Sequence, residues 1–322
     1  MQDHGGDLGT AIARFGGRAE DWTDLSTGIN RLPYPLPPPP PEALRDLPRR
    51  EASDACASAA LAAYAAAPEA ACLPLAGAQA AIRLLPALRR PGRAAILAPT
   101  YNEHAAAFAA AGWQVTELRD PAALRGFDAA VVVNPNNPDG RLLPPAALLA
   151  LARLNGLLVV DESFADTAPA ASICPALGRP GTLVLRSFGK FHGLAGLRLG
   201  FVLGAAAEVE RLRDLAGPWP VSGPALAAGL AALPDRAWAE ATRRRLEAGA
   251  ARLDRLALAA GWRPAGGTPL FRLYDTGDAR AAQERLARDR VWSRTFPWSP
   301  GWLRLGLPGP EPEWLALSQA LR

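Results

Sequence analysis

The chain has 322 residues, 49% of them hydrophobic, and a formal net charge of +4. That length and composition exclude disorder over most of the chain and suit one large domain or two unequal ones. Arginines are spread along it with no basic run interleaved with aromatics, and no apolar run approaches the roughly eighteen residues of a membrane span, so neither nucleic acid nor a membrane is an expected partner.

The N-terminal "MQDHGGDLGT" has no basic region leading into an apolar one, so no secretory signal is expected. Residues 1–31 are polar, contain glycines and end in "DLSTGIN". Next comes "LPYPLPPPPPE", residues 32–42, too rich in proline for a helix or a central strand and read as an extended connector. A βα rhythm follows. "DACASAALAAYAAA" reads as a helix, and "GAQAAIRLLPALRR" as another that opens after Gly77. "RAAILAPTY" is a buried strand, "NEHAAAFAAAGW" a helix and "QVTELR" a strand. "DAAVVVNPNNPDG" is an apolar run that stops at a turn cluster, and "PAALLALARLNG" is helical. "LLVVDESFAD", "TLVLRSFGK" and "RLGFVLG" are three more strands. Such apolar runs, alternating with helices, predict an α/β fold with a mainly parallel sheet covered on both faces.

After Pro218–Pro220 the pattern changes to one long amphipathic helix, then short strands around a helix at 279–289. The expected organisation is an N-terminal arm over 1–41, a large domain over 42–217 and a smaller α/β domain over 218–322. Cys56, Cys72 and Cys174 are far apart and lack metal-type pairing, which points to a reducing cytoplasm and no metal site.

In open α/β sheets, ligands bind beyond the carboxyl ends of the strands. Thr100–Tyr101, Asn134–Asn137, Asp161 and Ser187–Lys190 all fall at such ends. Taken singly, an Asn-Pro pair is a turn, a carboxylate after a strand is a helix cap, and a lysine is solvated. Together they suit pyridoxal phosphate: an amine for its aldehyde, an acid for its ring nitrogen, an aromatic for its face and donors for its phosphate. A Gly-Lys phosphate loop for nucleotides is excluded, because Phe191 stands where Ser or Thr would hold magnesium.

"NPNNPDG", "VVDESF" and "SFGKFHGLAGLRLGF", in that order, resemble the fold-type-I pyridoxal-phosphate family, the class I/II aminotransferase-like group. The resemblance implies a Schiff base on Lys190 and a pyridine partner in Asp161. It further implies a phenolate-oxygen contact from Asn137 and a stacking ring in Tyr101. The phosphate cup falls on the backbone of Gly77, Ala78 and Gln79, with Ser187 and Arg198. An arginine could not replace Lys190, since guanidinium does not readily deprotonate. Three departures from the family pattern stand out. Phe164 occupies the place of a frequent Tyr, Gly189 that of a hydroxyl residue, and Asp139 that of a Thr.

The early "HGGDLGTAIARFG" with "WTDLSTGIN" is similar to the threonine-phosphate decarboxylase branch of that family, close to the histidinol-phosphate aminotransferases. The resemblance implies that His4 and Gly5 contact a substrate phosphate and that Asn30 lines the substrate site, with Asn137 nearby. Arg294 and Arg304 would bind the substrate's anions, the carboxylate falling naturally to Arg304. The expected reaction is decarboxylation of O-phospho-L-threonine to (R)-1-aminopropan-2-yl phosphate for cobalamin biosynthesis, by a cytoplasmic homodimer. A histidinol-phosphate-type aminotransferase and a non-catalytic pyridoxal-binding regulator are the alternatives.

Overall fold

The structure, a computed structural model, describes residues 4–322. Its contacts divide the chain into two compact units. One comprises Tyr34–Asn137 with Arg141–Ala239; the other comprises the segment up to Pro33 with Pro138–Gly140 and Glu240–Arg322.

Seven strands form the sheet of the first unit, in the order Ala70–Leu75, Gly200–Ala205, Thr182–Ser187, Leu158–Asp161, Ala129–Val133, Arg93–Leu97, Gln114–Leu118. All pairings are parallel except those of Gly200–Ala205, which runs antiparallel to both neighbours. Alternate side chains of a strand face opposite sides, so a strand buried on both faces must be apolar throughout. Ala129–Val133 is the clearest case: Ala130 and Val132 join one core, Ala129 and Val131 the other. Strand Ala70–Leu75 carries Pro74, which reads as a strand breaker, yet it lies at the sheet edge, where proline's missing donor is tolerated.

The other unit has a four-stranded antiparallel sheet, in the order Arg294–Phe296, Ser299–Gly306, Phe271–Asp275, Arg263–Thr268. Its α-helices are Leu8–Phe15, Ala279–Arg288, Glu311–Ala320 and most of Arg236–Ala259. The N-terminal segment belongs here. Thr23–Asp24 pairs in parallel with Val291–Trp292, and Leu25 O accepts from Gly306 N at 2.7 Å.

These units do not follow the breaks expected at residues 41 and 217. The described residues up to Pro33 join the C-terminal part through that strand pairing. Residues 218–239 stay with the seven-stranded sheet, because helix Gly223–Ala232 packs against helix Arg50–Ala63. A Cβ on Gly229 would come within 2.7 Å of Cys56 Sγ.

One buried charge cluster fixes the centre of the larger sheet. Arg186, on Thr182–Ser187, donates to Glu162 (2.9 Å) and Asp166 (2.9 Å), and its guanidinium sits 4.0 Å from the Tyr64 ring centroid. Glu162 also accepts from the Ser172 hydroxyl (2.6 Å) and Ile173 N (2.8 Å). The cluster therefore ties segment 162–173 to the neighbouring strand. Replacing only the cation leaves two carboxylates buried and uncompensated, which costs far more than the intact cluster contributes. Arg186→Met is expected to lower stability by about 3–5 kcal/mol in thermal or urea unfolding. A loss below about 1 kcal/mol would mean that the carboxylates are not charged there.

Candidate active site

Asp161 ends strand Leu158–Asp161 and is only 3% exposed. Its Oδ2 lies 2.9 Å from His104 Nε2, and its Oδ1 accepts from Ser163 N (2.9 Å) and the Ser163 hydroxyl (2.5 Å). Burial pushes against the charge, but the His104 imidazole and then Ser163 outweigh it, holding the carboxyl below its ordinary pKa. His104 is fully buried, and its Nδ1 has no hydrogen-bond partner among the described residues. It was not among the expected site residues. The signal was available: helix Glu103–Ala110 begins just after Tyr101, and the Tyr101 and His104 rings stand edge to face at 6.3 Å.

The turn after Ala129–Val133 separates its asparagines by role. Asn134 exchanges two hydrogen bonds with the Leu143 backbone, and Asn136 is bound to Pro99 O (2.8 Å) and by the Thr100 hydroxyl (2.6 Å). Both are buried braces, whereas Asn137 is half-buried. Tyr101 donates to Gln79 Oε1 (3.1 Å), and Gln79 Nε2 donates to Glu103 (2.6 Å), so the Gln79 side chain fixes the tyrosine.

Helix Ala78–Leu84 opens at Gly77, whose φ of +77° favours glycine. A Cβ at Gly77 would come within 2.8 Å of Arg198 Nη2. Arg198 is therefore laid over the opening turn, and Gly77 is the glycine that admits it. Gly200 contributes a second close approach, since a Cβ there would meet Ala78 N at 2.4 Å. Ser187 precedes the short helix Phe188–Phe191 and makes no capping bond to it. Backbone N–H groups at the Gly77 turn, one guanidinium and one hydroxyl form a donor set that suits a phosphate.

Lys190 is the only lysine in the chain. It is half-buried, with Nζ 5.8 Å from the centroid of the buried Phe164 ring. Gly189 has a steric reason: a Cβ there would lie 2.7 Å from Ala195 Cα. The unusual residues at 164 and 189 thus pack around the amine and the turn that follows it.

Apart from Asn137, the expected substrate residues fall in the other unit. Arg294 and Arg304 are direct cross-strand partners, a like-charged pairing that disfavours the ladder by itself and suits an anion. Arg304 is 3% exposed, donates to Ser26 O (2.6 Å) and stacks 5.1 Å from the Phe271 centroid. Gly5 lies against the same residue: a Cβ there would be 2.3 Å from Ser26 O, and Gly6 N donates to the Ser26 hydroxyl at 2.7 Å. His4, beside it, is exposed. Asn30, four residues beyond Ser26, is buried and accepts from Leu32 N (3.1 Å) and Arg245 (3.0 Å). Neither Ser26 nor Arg245 had been singled out, because nothing in the run "TRRRLE" distinguishes one arginine from its neighbours.

Residues 51–316 match the family model for aminotransferase class I and II. The chain belongs to that family. Within it, the chain is 44% identical to the threonine-phosphate decarboxylase of Pseudomonas aeruginosa, covering 100% of this chain and 97% of that one. It is also 44% identical to the threonine-phosphate decarboxylase of a Sinorhizobium species, over 94% and 92% of the two chains. The solved structure of histidinol-phosphate aminotransferase from Sinorhizobium meliloti, in complex with pyridoxal-5'-phosphate, superposes with a TM-score of 0.82 at 20% identity. That match covers 97% of this chain and 93% of the other, and it shows that this class I and II member shares the fold.

The lowered pKa of Asp161 makes its charge a source of stability above the ordinary carboxylate range, lost as pH falls through its folded value. His104→Phe removes one partner from the buried carboxylate and raises that folded value. The variant is expected to lose about 1–3 kcal/mol at neutral pH, and its acid-unfolding midpoint, followed by circular dichroism, should move to higher pH. An unmoved midpoint would show that His104 does not hold the Asp161 charge.

Proposed function

We propose that this protein is a pyridoxal-5'-phosphate-dependent decarboxylase that converts O-phospho-L-threonine into (R)-1-aminopropan-2-yl phosphate for cobalamin biosynthesis. One observation carries the reading: the 44% identity to a threonine-phosphate decarboxylase, extending along both chains almost in full. The local geometry supports it. Gly77 leaves a cradle for the Arg198 guanidinium, Asp161 keeps its charge despite burial, and one amine stands at a strand end.

When bound, pyridoxal phosphate supplies an aldehyde for the substrate's amine and a protonated ring that accepts the electron pair left as carbon dioxide departs. Gly77, Ala78, Gln79, Ser187 and Arg198 would hold its phosphate. Asp161 would keep a negative charge for its ring nitrogen, backed by His104 and Ser163. Tyr101, fixed by Gln79, would pack on its ring, and Asn137 would donate to its phenolate oxygen. Lys190 would supply the amine for its aldehyde and the proton for the substrate's Cα.

The substrate's two anionic ends are taken by Arg294 and Arg304, with His4 and Gly5 at the phosphate and Asn30 lining the substrate site. That anchoring sets the rotation about the Cα–N bond. Decarboxylation requires the Cα–carboxylate bond upright over the ring, whereas transamination requires Cα–H there. On this reading Arg304 takes the carboxylate, and its burial and its bond to Ser26 O support a fixed orientation of the guanidinium. The same reading makes the working enzyme a cytoplasmic homodimer without nucleic-acid or membrane partners. No helix among the described residues is long and apolar enough to cross a membrane.

Two measurements test the proposal. Borohydride reduction of the reconstituted protein should fix one cofactor per chain, on the peptide containing Lys190, and Lys190→Ala should yield neither adduct nor product. In a carbon dioxide assay, O-phospho-L-threonine should be turned over without an oxo acid. Transamination of an amino acid phosphate with 2-oxoglutarate, and no carbon dioxide, would establish the aminotransferase alternative instead.

A further inference from the structure

The long helix Arg236–Ala259 carries three successive arginines, and Arg245 differs from its neighbours in what it touches. Its Nη2 donates to Asn30 Oδ1 at 3.0 Å, its only hydrogen bond among the described residues. Among the described residues no carboxylate forms an ion pair with it. Burial, with no acid to offset it, pushes its pKa below the usual arginine value. A half-buried cation without a counter-charge is costly for the fold alone.

Asn30 is the reason for its position. The Asn30 Oδ1 is taken by two groups that can only donate, Arg245 Nη2 and Leu32 N. This fixes the orientation of the amide, with Nδ2, its donor end, on the other side. At the near end of the same segment Ser26 O binds Arg304. Ser26 and Asn30 are four residues apart, so their Cα atoms are at most about 14 Å apart.

The charges point the same way. O-phospho-L-threonine carries one carboxylate and a phosphate of about −1.5 to −2. Arg294 and Arg304 provide two positive charges, which leaves about half to one charge of that load unmet. We propose that Arg245 is a further phosphate-binding residue, completing the charge with its remaining N–H groups and steadying Asn30 beside it through Oδ1. This inference rests on the decarboxylase reading for the identity of the substrate.

The test uses the cofactor-loaded enzyme, with inorganic phosphate as the probe in calorimetry and O-phospho-L-threonine in the carbon dioxide assay. Arg245→Met should weaken phosphate binding at least tenfold and raise KM at least tenfold, with kcat within threefold and the melting temperature retained. Arg245→Lys, which keeps the charge, should recover part of both losses. Phosphate affinity and KM within twofold of the parent in Arg245→Met overturn the proposal. Should that variant not fold, Asn30→Asp decides: its carboxylate would pair with Arg245 and repel phosphate, so parent-like phosphate affinity overturns it equally. A parent enzyme that releases no carbon dioxide, yet loses phosphate binding in Arg245→Met, removes the decarboxylase reading and keeps Arg245 as a phosphate residue.

Discussion

Burial works against the charge of Asp161, and the His104 imidazole with the Ser163 amide and hydroxyl works for it. The rest of the larger unit is arranged around keeping that charge in place. Asp161 pairs with Leu185 in the ladder, and Glu162 N continues it to Leu185 O at 2.9 Å. Successive residues of a strand face opposite ways. Asp161 can therefore serve the site while Glu162, one step on, enters the buried cluster with Arg186. Arg186 in turn precedes Ser187, so the same cluster fixes where the segment bearing Lys190 leaves the sheet.

The glycines near the site act by subtraction. Arg198 lies where a side chain on Gly77 would be, the Ala78 amide where one on Gly200 would be, and Ala195 where one on Gly189 would be. Three separate segments can thus approach closely at the end of the sheet. Arg198 itself sits in the left-handed region, with φ +56°. Non-glycine residues adopt that conformation at some cost, and such strain tends to gather at sites of function.

Much of this was legible in the sequence. Strands buried on both faces appear as continuous apolar runs, so Ala129–Val133 and Leu158–Asp161 could be read directly, as could the polar residues at their ends. Other features depend on partners far away in the chain. Pro74 disguises an edge strand, and Thr23–Asp24 is a strand only because Val291–Trp292 lies beside it. That pairing is why the described residues up to Pro33 join the C-terminal unit. His104 could have been found from its spacing to Tyr101, whereas Arg245 acquires meaning only through Asn30, 215 residues away. Sequence patterns report burial and local conformation; they do not report which of three adjacent guanidinium groups reaches a distant asparagine.

The scarcity of lysine reaches beyond the site. Of the 35 basic side chains counted as lysine or arginine, all but Lys190 are guanidinium groups, which stay protonated and so are poor partners for Schiff bases or acyl groups. Acylating metabolites and sugars thus find one ε-amine on the folded chain, the one that the proposed function assigns to the chemistry. Under that proposal, side-chain amine damage and loss of function would be a single event, with no other lysine to absorb the reagent first.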